Sequence, residues 1–321
     1  MDDQRTKPLT IRPVARDDGP RALELLFAAF PENELPERIS ATLAAVDAGR
    51  LSLDGLVWAW RDGQPVSAAL SMSQPDGIAL VWPPSMPREQ HDAEEIADAL
   101  LADITARLDA AGVKLSQVLV DALDEREQVR LQRHGYQQQT ELFFLGRSLT
   151  EPLPARLTEP ALTSIALSDG GDRARFAAVV EATYRGTADC PWMNGLRTGA
   201  EALDCHQQTG QYDPGLWRIF TLGGQDAAVC LLAEHPEQDA VELVYFGVVP
   251  EFRGRGLGRG LLIDALHAAA ARGRAVLFLA VDAKNRYANA IYSELAFGEL
   301  ARRRALFRSR GGLARESSTR S

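Results

Sequence analysis

The order of apolar and polar positions predicts a regular series of strands and helices. Short apolar runs that suit strands alternate with longer stretches in which apolar residues recur every three or four positions, the spacing of a helix with one buried face. Clusters of Gly, Pro and Asp separate them and mark turns. In the first half this predicts the order β-α-α-β-β-β-α-β-α-β, with strands at 9–14, 56–60, 66–72, 78–82, 116–120 and 141–146 and helices at 20–27, 35–48, 92–111 and 125–133.

The second half repeats this order. A proline-bearing segment at 151–160, which we interpret as a linker, precedes it. The same spacings then predict strands at 162–167, 216–222, 227–233, 241–249, 275–281 and 301–308 and helices at 172–184, 199–208, 257–272 and 285–295.

A single offset of 161 residues lays the two halves on each other. The turn at 62–65 falls on 223–226, the strand residues 118–121 fall on 279–282, and Leu145 falls on Leu306. One shift that fits turn, strand and closing segment indicates a tandem duplication. We therefore predict two domains, 1–150 and 161–310, followed by a flexible tail at 311–321.

A glycine-rich loop between strand and helix is the most informative segment. The strand at 241–249 ends at Pro250, the helix begins at Leu257, and glycines stand at 254, 256 and 258. Glycine lets the main chain approach a ligand closely, and the free N–H groups of a helix start favour anions. Arg253, Arg255 and Arg259 add positive charge. The pattern predicts a phosphate site, although a plain surface turn is the alternative.

Other phosphate motifs do not fit this loop. The dinucleotide fingerprint lacks its third glycine, and the P-loop lacks its lysine followed by Ser or Thr. In the first half the equivalent residues, 92–97, contain no glycine and three acids, Asp92, Glu94 and Glu95. If the loop binds a phosphate, we expect only the second half to do so.

Composition narrows the class of protein. With 45% hydrophobic and 25% charged residues, the 321-residue chain is typical of a globular protein. Its polar start and the lack of a run of about 18 apolar residues suggest a cytoplasmic protein without a membrane partner. The net charge of -9 argues against nucleic acid. The cysteines lack paired spacing, and Cys205 with His206 lacks further spaced ligands, so we expect neither disulfides nor a metal.

Two motifs resemble those of the GNAT superfamily of N-acetyltransferases. The first is R-x-x-G-x-G, formed by Arg253, Gly256 and Gly258 directly after Val-Val-Pro. The second, at 281–297, is V-x-x-x-N-x-x-A-x-x-x-Y followed by Leu-Ala-Phe, with Ala296 in place of the family's glycine. The resemblance implies an α+β fold, each domain being a mixed, mostly antiparallel sheet flanked by helices. It also implies acetyl-CoA as the co-substrate.

The resemblance assigns roles to particular residues. The main chain of Phe246, Gly247 and Val248 would pair with the pantetheine arm. Asn285 would bind the arm or, alternatively, cap its helix. Tyr292 would protonate the leaving thiolate, unless it is a plain core aromatic. The pyrophosphate would be held by Arg253, Gly254, Arg255, Gly256, Leu257 and Gly258.

Glu242 is the candidate base. It is a single acid in an otherwise apolar strand and stands where histone-acetylating members of the family place their catalytic glutamate. Burial would raise its pKa and suit it to accept a proton from an amine, directly or through water. The alternative is an exposed glutamate at the end of a strand, after the turn at 236–239.

The acceptor is expected to contact the segment 186–215. This segment is rich in aromatic, acidic and turn residues, and either Asp189 or Asp213 could meet an amine there. A self-packed loop anchored by Trp192 is the alternative. The predicted function is direct transfer of an acetyl group to a primary amine of a small molecule or peptide. A non-catalytic acyl-CoA sensor and a structural protein are its rivals, and a homodimer is left open.

Overall fold

The structure is a computed structural model that describes residues 8–86, 92–157, 162–170 and 172–310. The chain divides into two compact units, the first formed by Met1–Gln139 with Ala305–Ser321 and the second by Thr140–Arg304. The predicted tail at 311–321 and the end of the predicted linker, 158–160, lie outside the described residues.

The helices and strands follow the predicted order. The strands are β1 (Thr10–Pro13), β2 (Leu56–Arg61), β3 (Gln64–Ser73), β4 (Ile78–Trp82), β5 (Leu115–Asp121), β6 (Gln138–Ser148), β7 (Thr163–Ala166), β8 (Trp217–Leu222), β9 (Gln225–His235), β10 (Ala240–Val248), β11 (Val276–Asp282) and β12 (Gly298–Ser309). The helices are α1 (Gly19–Leu26), α2 (Leu35–Asp47), α3 (Ala93–Ala110), α4 (Glu125–Arg133), α5 (Arg173–Tyr184), α6 (Gly199–His206), α7 (Leu257–Ala270) and α8 (Arg286–Glu294).

The first unit is built on the strands β1 to β5. Consecutive strands from β1 to β4 pair antiparallel, β4 and β5 pair parallel, and β12 follows beside β5. Helix α3 covers this sheet with the fully buried side chains of Ile96, Leu100, Leu101 and Ile104. The core of the unit therefore lies between α3 and the strands β2 to β5, and a second buried cluster joins α1 to β2 and β3.

The second unit has the same plan, with strand order β6-β11-β10-β9-β8-β7. Among the described strands of this unit, β10 and β11 pair parallel and the other neighbours pair antiparallel, which confirms the predicted mixed, mostly antiparallel sheet. Helix α7 covers it with an apolar face. The buried residues of α7 are Leu257, Leu261, Leu262, Ile263, Ala265, Leu266 and Ala269.

The closing strands are distributed differently from the predicted ranges 1–150 and 161–310. From Thr140 onward, β6 belongs to the second unit, and Leu145 lies in the core of that unit. From Ala305 onward, β12 belongs to the first unit, and Leu306 lies in the core of that unit. Leu145 and Leu306 are equivalent positions of the repeat. Because the two closing strands carry equivalent side chains, each suits the sheet of the other half.

None of the helices in the described ranges combines the length and the apolar character that crossing a lipid bilayer requires.

Candidate active site

The central parallel strands of the second unit part from each other. β10 and β11 pair at only three positions, Ala240–Glu242 with Val276–Phe278. Beyond Glu242 the pairing of β10 with β9 continues, but its register shifts between Leu243 and Tyr245. Such a bulge bends and twists a strand locally. From this point the main chain of β10 that faces away from β9 has no partner among the described strands.

A cavity of about 270 Å³ lies where the strands part. Its walls come from β10, β11 and α8 and from the segment between α5 and α6. The lining residues are Tyr184, Thr187, Asp189, Cys190, Met193, Asn194, Arg197, His206, Leu243, Val244, Tyr245, Phe246, Leu279, Ala280, Asn285, Ala288 and Tyr292. The cavity therefore brings together the predicted acceptor segment, Phe246 of the predicted arm site, Asn285 and Tyr292.

The glycine-rich loop follows β10 directly. A short 3-10 turn at Pro250–Phe252 leads to Gly254 and Gly256, whose φ angles of 74° and 73° favour glycine. Helix α7 then begins at Leu257. No described residue accepts a hydrogen bond from the main-chain N–H groups of residues 254–258. Several unpaired donors at the positive end of a helix dipole form an anion-binding surface.

The arginines of the loop have structural contacts. The guanidinium of Arg253 donates hydrogen bonds to the carbonyl oxygens of Thr183, Arg185, Gly186 and Val248 at 2.7 to 2.9 Å. Arg253 therefore connects the loop to the end of α5. A direct contact between Arg253 and the pyrophosphate stays a prediction.

The other two arginines, Arg255 and Arg259, have fewer contacts than Arg253. Arg255 donates to the Glu251 carbonyl oxygen at 3.0 Å and lies over the Phe252 ring, whereas Arg259 pairs with Glu294 at 3.7 Å. Both contacts are at the surface, where an ion pair contributes little energy. These two side chains can therefore still add positive potential beside the N–H groups.

Gly247 has a packing role that the sequence does not reveal. A Cβ atom at this position would lie 2.7 Å from the Thr183 Cβ and Oγ1 atoms. Thr183 itself donates to the Val180 carbonyl oxygen at 2.6 Å, and its Oγ1 lies 2.6 Å from the Tyr245 hydroxyl. The glycine lets β10 pass close to α5, which holds the cavity wall in place.

Replacing Gly247 by alanine is expected to destabilise the protein by about 1–3 kcal/mol, the usual cost of overpacking. Chemical denaturation measures this change. Gly298→Ala is the matched control, because a Cβ there meets no atom within 4 Å. Equal stability of the two variants would contradict the close approach of β10 to α5.

Tyr292 has features of both roles that the sequence leaves open, a core aromatic and a general acid in the site. Its ring is 6% exposed and packs against Phe297 with 5.4 Å between centroids. The residue also lines the cavity, and no described residue forms a hydrogen bond with its hydroxyl. Burial, and to a lesser degree the nearby Asp189, raise its pKa. The phenol is therefore protonated at neutral pH and has a proton to give.

Asn285 can also fill both of its expected roles, as a helix cap and as a residue that contacts the cofactor's arm. Its side chain accepts a hydrogen bond from the Ala288 N–H at 3.2 Å and so caps α8. At the same time it lines the cavity. The cap fixes the first turn of α8, and Tyr292 lies two turns further along the same helix.

Glu242 lies at the last position where β10 and β11 still pair. Its Oε2 is 2.8 Å from His235 Nε2, and the two side chains are 24% and 17% exposed. It is not among the described residues that line the cavity. Its assignment as a base therefore stays a prediction that requires a water to connect it with the acceptor.

The structure separates the two candidate acids of the acceptor segment. Asp189 lines the cavity, and its Oδ1 accepts a hydrogen bond from the Asp282 N–H at 3.1 Å. Asp213 instead accepts from the Gly215 N–H at 2.7 Å and pairs with Arg272 at 3.1 Å. Asp189 is thus the acid that can meet a ligand.

His206 was missed as a site residue, because its sequence position beside Cys205 suggested only a metal. It lines the cavity from the end of α6, and its ring stacks on Tyr245 with 5.5 Å between centroids. Burial lowers the pKa of His206 to about 3, so its ring is neutral at physiological pH. No spacing rule in the sequence connects residues 189 and 206 with residues 245 and 292.

Comparison with known proteins identifies the family. The model of the acetyltransferase (GNAT) family matches residues 192–297, which lie within the second unit. Over 255 residues the chain is 31% identical to a mycothiol acetyltransferase of Clavibacter michiganensis subsp. michiganensis, and the match covers 75% of each chain. The chain belongs to the acetyltransferase (GNAT) family. The glycine-rich loop and Tyr292 both lie within the residues that the family model matches.

Other relatives match over a shorter range. Mycothiol acetyltransferases of Nocardioides sp. and Beutenbergia cavernae are 28% and 31% identical, over 51% and 52% of this chain. These matches cover 59% and 58% of the relatives, so they extend over little more than half of the relatives' own lengths.

Solved structures show the same GNAT fold along the chain. A GCN5-related N-acetyltransferase from Sphaerobacter thermophilus superimposes with a TM-score of 0.67 at 21% identity, covering 94% of this chain and 95% of that one. A tandem GNAT protein from the clavulanic acid biosynthesis pathway gives 0.57 at 14% identity, covering 95% and 99%. The second of these is, by its name, also a tandem protein.

Proposed function

We propose that the protein transfers an acetyl group from acetyl-CoA to a primary amine of a small molecule. The observation that carries this proposal is the parting of β10 and β11, which opens a cavity lined by Tyr292 beside β10, the same strand that the glycine-rich loop follows. Membership of the GNAT family supports it.

The cofactor would follow β10. An extended chain can add to an open strand edge by main-chain hydrogen bonds, and residues Phe246, Gly247 and Val248 offer such an edge. The diphosphate would lie on the N–H groups of residues 254–258, which are exposed apart from the buried Leu257 and the partly buried Gly258. The thioester would then reach the cavity beside Tyr292.

The transfer would proceed by direct attack. The amine nitrogen, as a free base, bonds to the thioester carbonyl carbon, and the carbonyl electron pair moves to oxygen, where N–H groups of the parted β10 stabilise the charge. The carbon–sulfur bond then breaks, and Tyr292 gives its proton to the thiolate. The attacking nitrogen loses one proton to a base, so the products are an amide and free coenzyme A.

In the first unit, the described residues at the start of α3 do not form a glycine-rich loop. At the start of α3, Glu94 lies where the second unit has Arg255, and it is held by Arg126, Arg130 and Arg133 at 2.6, 2.7 and 3.0 Å. Hydrogen bonds from Arg130 above all hold its pKa at about 2. This carboxylate already occupies the guanidinium donors beside the start of α3. In the second unit the loop N–H groups are free for an anion, so the proposal places the cofactor there.

The names of the relatives support one class of acceptor. Several are named mycothiol acetyltransferases, which supports a small-molecule amine rather than a protein. Glu242 remains a proposed base that acts through water, positioned by His235 at 2.8 Å.

Release of free coenzyme A thiol tests the proposal. Acetyl-CoA is supplied with a panel of amines, which includes aminoglycosides, amino acids, peptide N-termini and the cysteinyl amine of a small thiol. We expect thiol release that depends on at least one small amine. Binding of acetyl-CoA without release for any amine would instead favour the rival function, a sensor of acyl-CoA.

A further inference from the structure

Asp189 presents an open carboxylate oxygen to the cavity. Its Oδ1 accepts from the Asp282 N–H at 3.1 Å, and no described residue donates to its other oxygen. The loop that carries it is held by its neighbour, since the N–H and Sγ of Cys190 lie 3.3 and 3.7 Å from Asp282 Oδ2. The open oxygen is therefore in a fixed position.

The surrounding groups do not form a metal site. Asp189, Cys190 and Asp282 are close enough to share an ion. However, Asp282 already accepts from the Thr140 hydroxyl, the Lys284 N–H and both donors of Cys190. A carboxylate has about four lone-pair sites, and these four donors use them. Only Asp189 is left to meet a cation.

His206 gives an independent sign of a ligand. Its Nε2 is shielded from solvent and has no hydrogen-bond partner among the described residues, yet the residue lines the same cavity. A buried polar atom without a partner is costly. Its ring, with Tyr245 stacked on it and Tyr184 edge-on to Tyr245, forms a wall of flat rings.

From this arrangement we infer that Asp189 and His206 form the acceptor end of the cavity. Asp189 binds the ammonium group of the acceptor, and His206 forms a hydrogen bond with a hydroxyl or amide group a few atoms away. The substrate class is thus a small amine with a neighbouring hydrogen-bonding group. This inference rests on the proposed acetyl transfer and names its acceptor.

Asp189 also has the chemistry to accept the proton of the amine, in place of Glu242, which is not among the described residues that line the cavity. Its side chain is open to solvent at the cavity wall. The surrounding protein atoms raise its pKa to about 6, although the hydrogen bond from the Asp282 N–H acts in the opposite direction.

The ammonium nitrogen loses one proton to the free oxygen of Asp189, which passes it to water, and the freed lone pair attacks the thioester carbonyl carbon. The nitrogen of the addition product then loses its second proton, again to Asp189, as the carbon–sulfur bond breaks and Tyr292 protonates the thiolate. Water returns a proton to Tyr292 and takes the one on Asp189 when the products leave. The titratable and charged groups that face Asp189 are Cys190, Arg197, His206, Tyr245, Asp282, Lys284 and Tyr292.

The variant Asp189→Asn tests this role without disturbing the loop, because the asparagine oxygen can still accept from the Asp282 N–H. For the best amine of the panel we expect kcat/KM to fall roughly 10²-fold, the scale of a lost general base. In the wild type, kcat/KM should rise with pH through about 6 as Asp189 loses its proton. The Asp189→Asn variant should not show this rise of kcat/KM, because His206 is already neutral around pH 6.

The controls separate this role from a structural one. Asp189→Glu keeps the charge and should restore part of the activity, and Asp213→Asn removes the other acid of the segment and should change nothing. Acetyl-CoA affinity and melting temperature should be the same in all variants, except that Asp189→Asn should melt slightly higher at neutral pH. A carboxyl group whose pKa is raised in the folded state makes the protein less stable as pH rises through that pKa. Asparagine does not ionise and so avoids this loss of stability.

His206→Phe keeps the flat ring and removes the nitrogens. We expect its KM to rise about 10-fold for a hydroxyl-bearing amine, the value of one hydrogen bond, and to stay unchanged for the plain alkylamine of equal length. An Asp189→Asn enzyme with wild-type kcat/KM and pH profile would overturn the inference while leaving acetyl transfer intact. A wild-type enzyme that acetylates no amine would overturn both.

Discussion

Replacing Tyr292 by phenylalanine is expected to lower kcat by about 10²- to 10⁴-fold, the usual contribution of a positioned general acid. The phenyl ring preserves the contact with Phe297, so the affinity for acetyl-CoA should not change. Because burial raises the pKa of Tyr292, the wild-type phenol is protonated at every pH of the assay, and the loss should be independent of pH. Initial rates of thiol release at saturating acetyl-CoA measure the effect.

Tyr287→Phe is the matched control for this prediction. Tyr287 lies on the same helix, α8, but is 83% exposed. The Tyr287→Phe variant should therefore release thiol at the wild-type rate. If Tyr292→Phe also kept more than half of kcat, another group or water would have to protonate the thiolate, and Tyr292 would be a core aromatic only.

Replacing Gly256 by glutamate is expected to weaken coenzyme A binding about 100-fold. The substitution strains a position with a φ of 73° and adds a negative charge among the free N–H groups. Loss of two hydrogen bonds to a charged group, each about 1.5 kcal/mol, corresponds to this factor. Isothermal titration calorimetry with coenzyme A measures the dissociation constant.

Gly273→Glu controls for strain and charge. Gly273 follows the other end of the same helix, has a φ of 72° and is equally free of neighbours. This variant should lose a similar amount of stability but bind coenzyme A within about threefold of the wild type. Equal losses of affinity would show that the loop acts through stability and does not bind the diphosphate.

Local patterns were sufficient to predict the elements of the fold. The apolar face of α7 and the turns at Gly63 and Gly224 depend on neighbouring residues, so the sequence reveals them directly. The exchange of the closing strands could not be predicted, because Leu145 and Leu306 are equivalent in the repeat and either fits either core. Only tertiary pairing distinguishes the two arrangements.

The site was predicted in part. Tyr292, Asn285 and Phe246, which the sequence selects by their strand and helix positions, line one cavity, and their roles there stay predictions. Most contacts of Arg253 were not predictable, because the carbonyl oxygens of Thr183, Arg185 and Gly186 lie at or just after the end of α5, about 70 residues earlier. Asp189 and His206 meet β10 and α8 only through the fold, and the bulge near Val244 decides which side chains face them.

The most direct measurement is a crystal structure of the protein grown with coenzyme A. The account predicts the diphosphate on the N–H groups of residues 254–258, the pantetheine arm along Phe246, Gly247 and Val248, and the sulfur within reach of the Tyr292 hydroxyl. Coenzyme A bound at the start of α3 in the first unit, or electron density for it elsewhere with the α7 loop empty, would contradict the account.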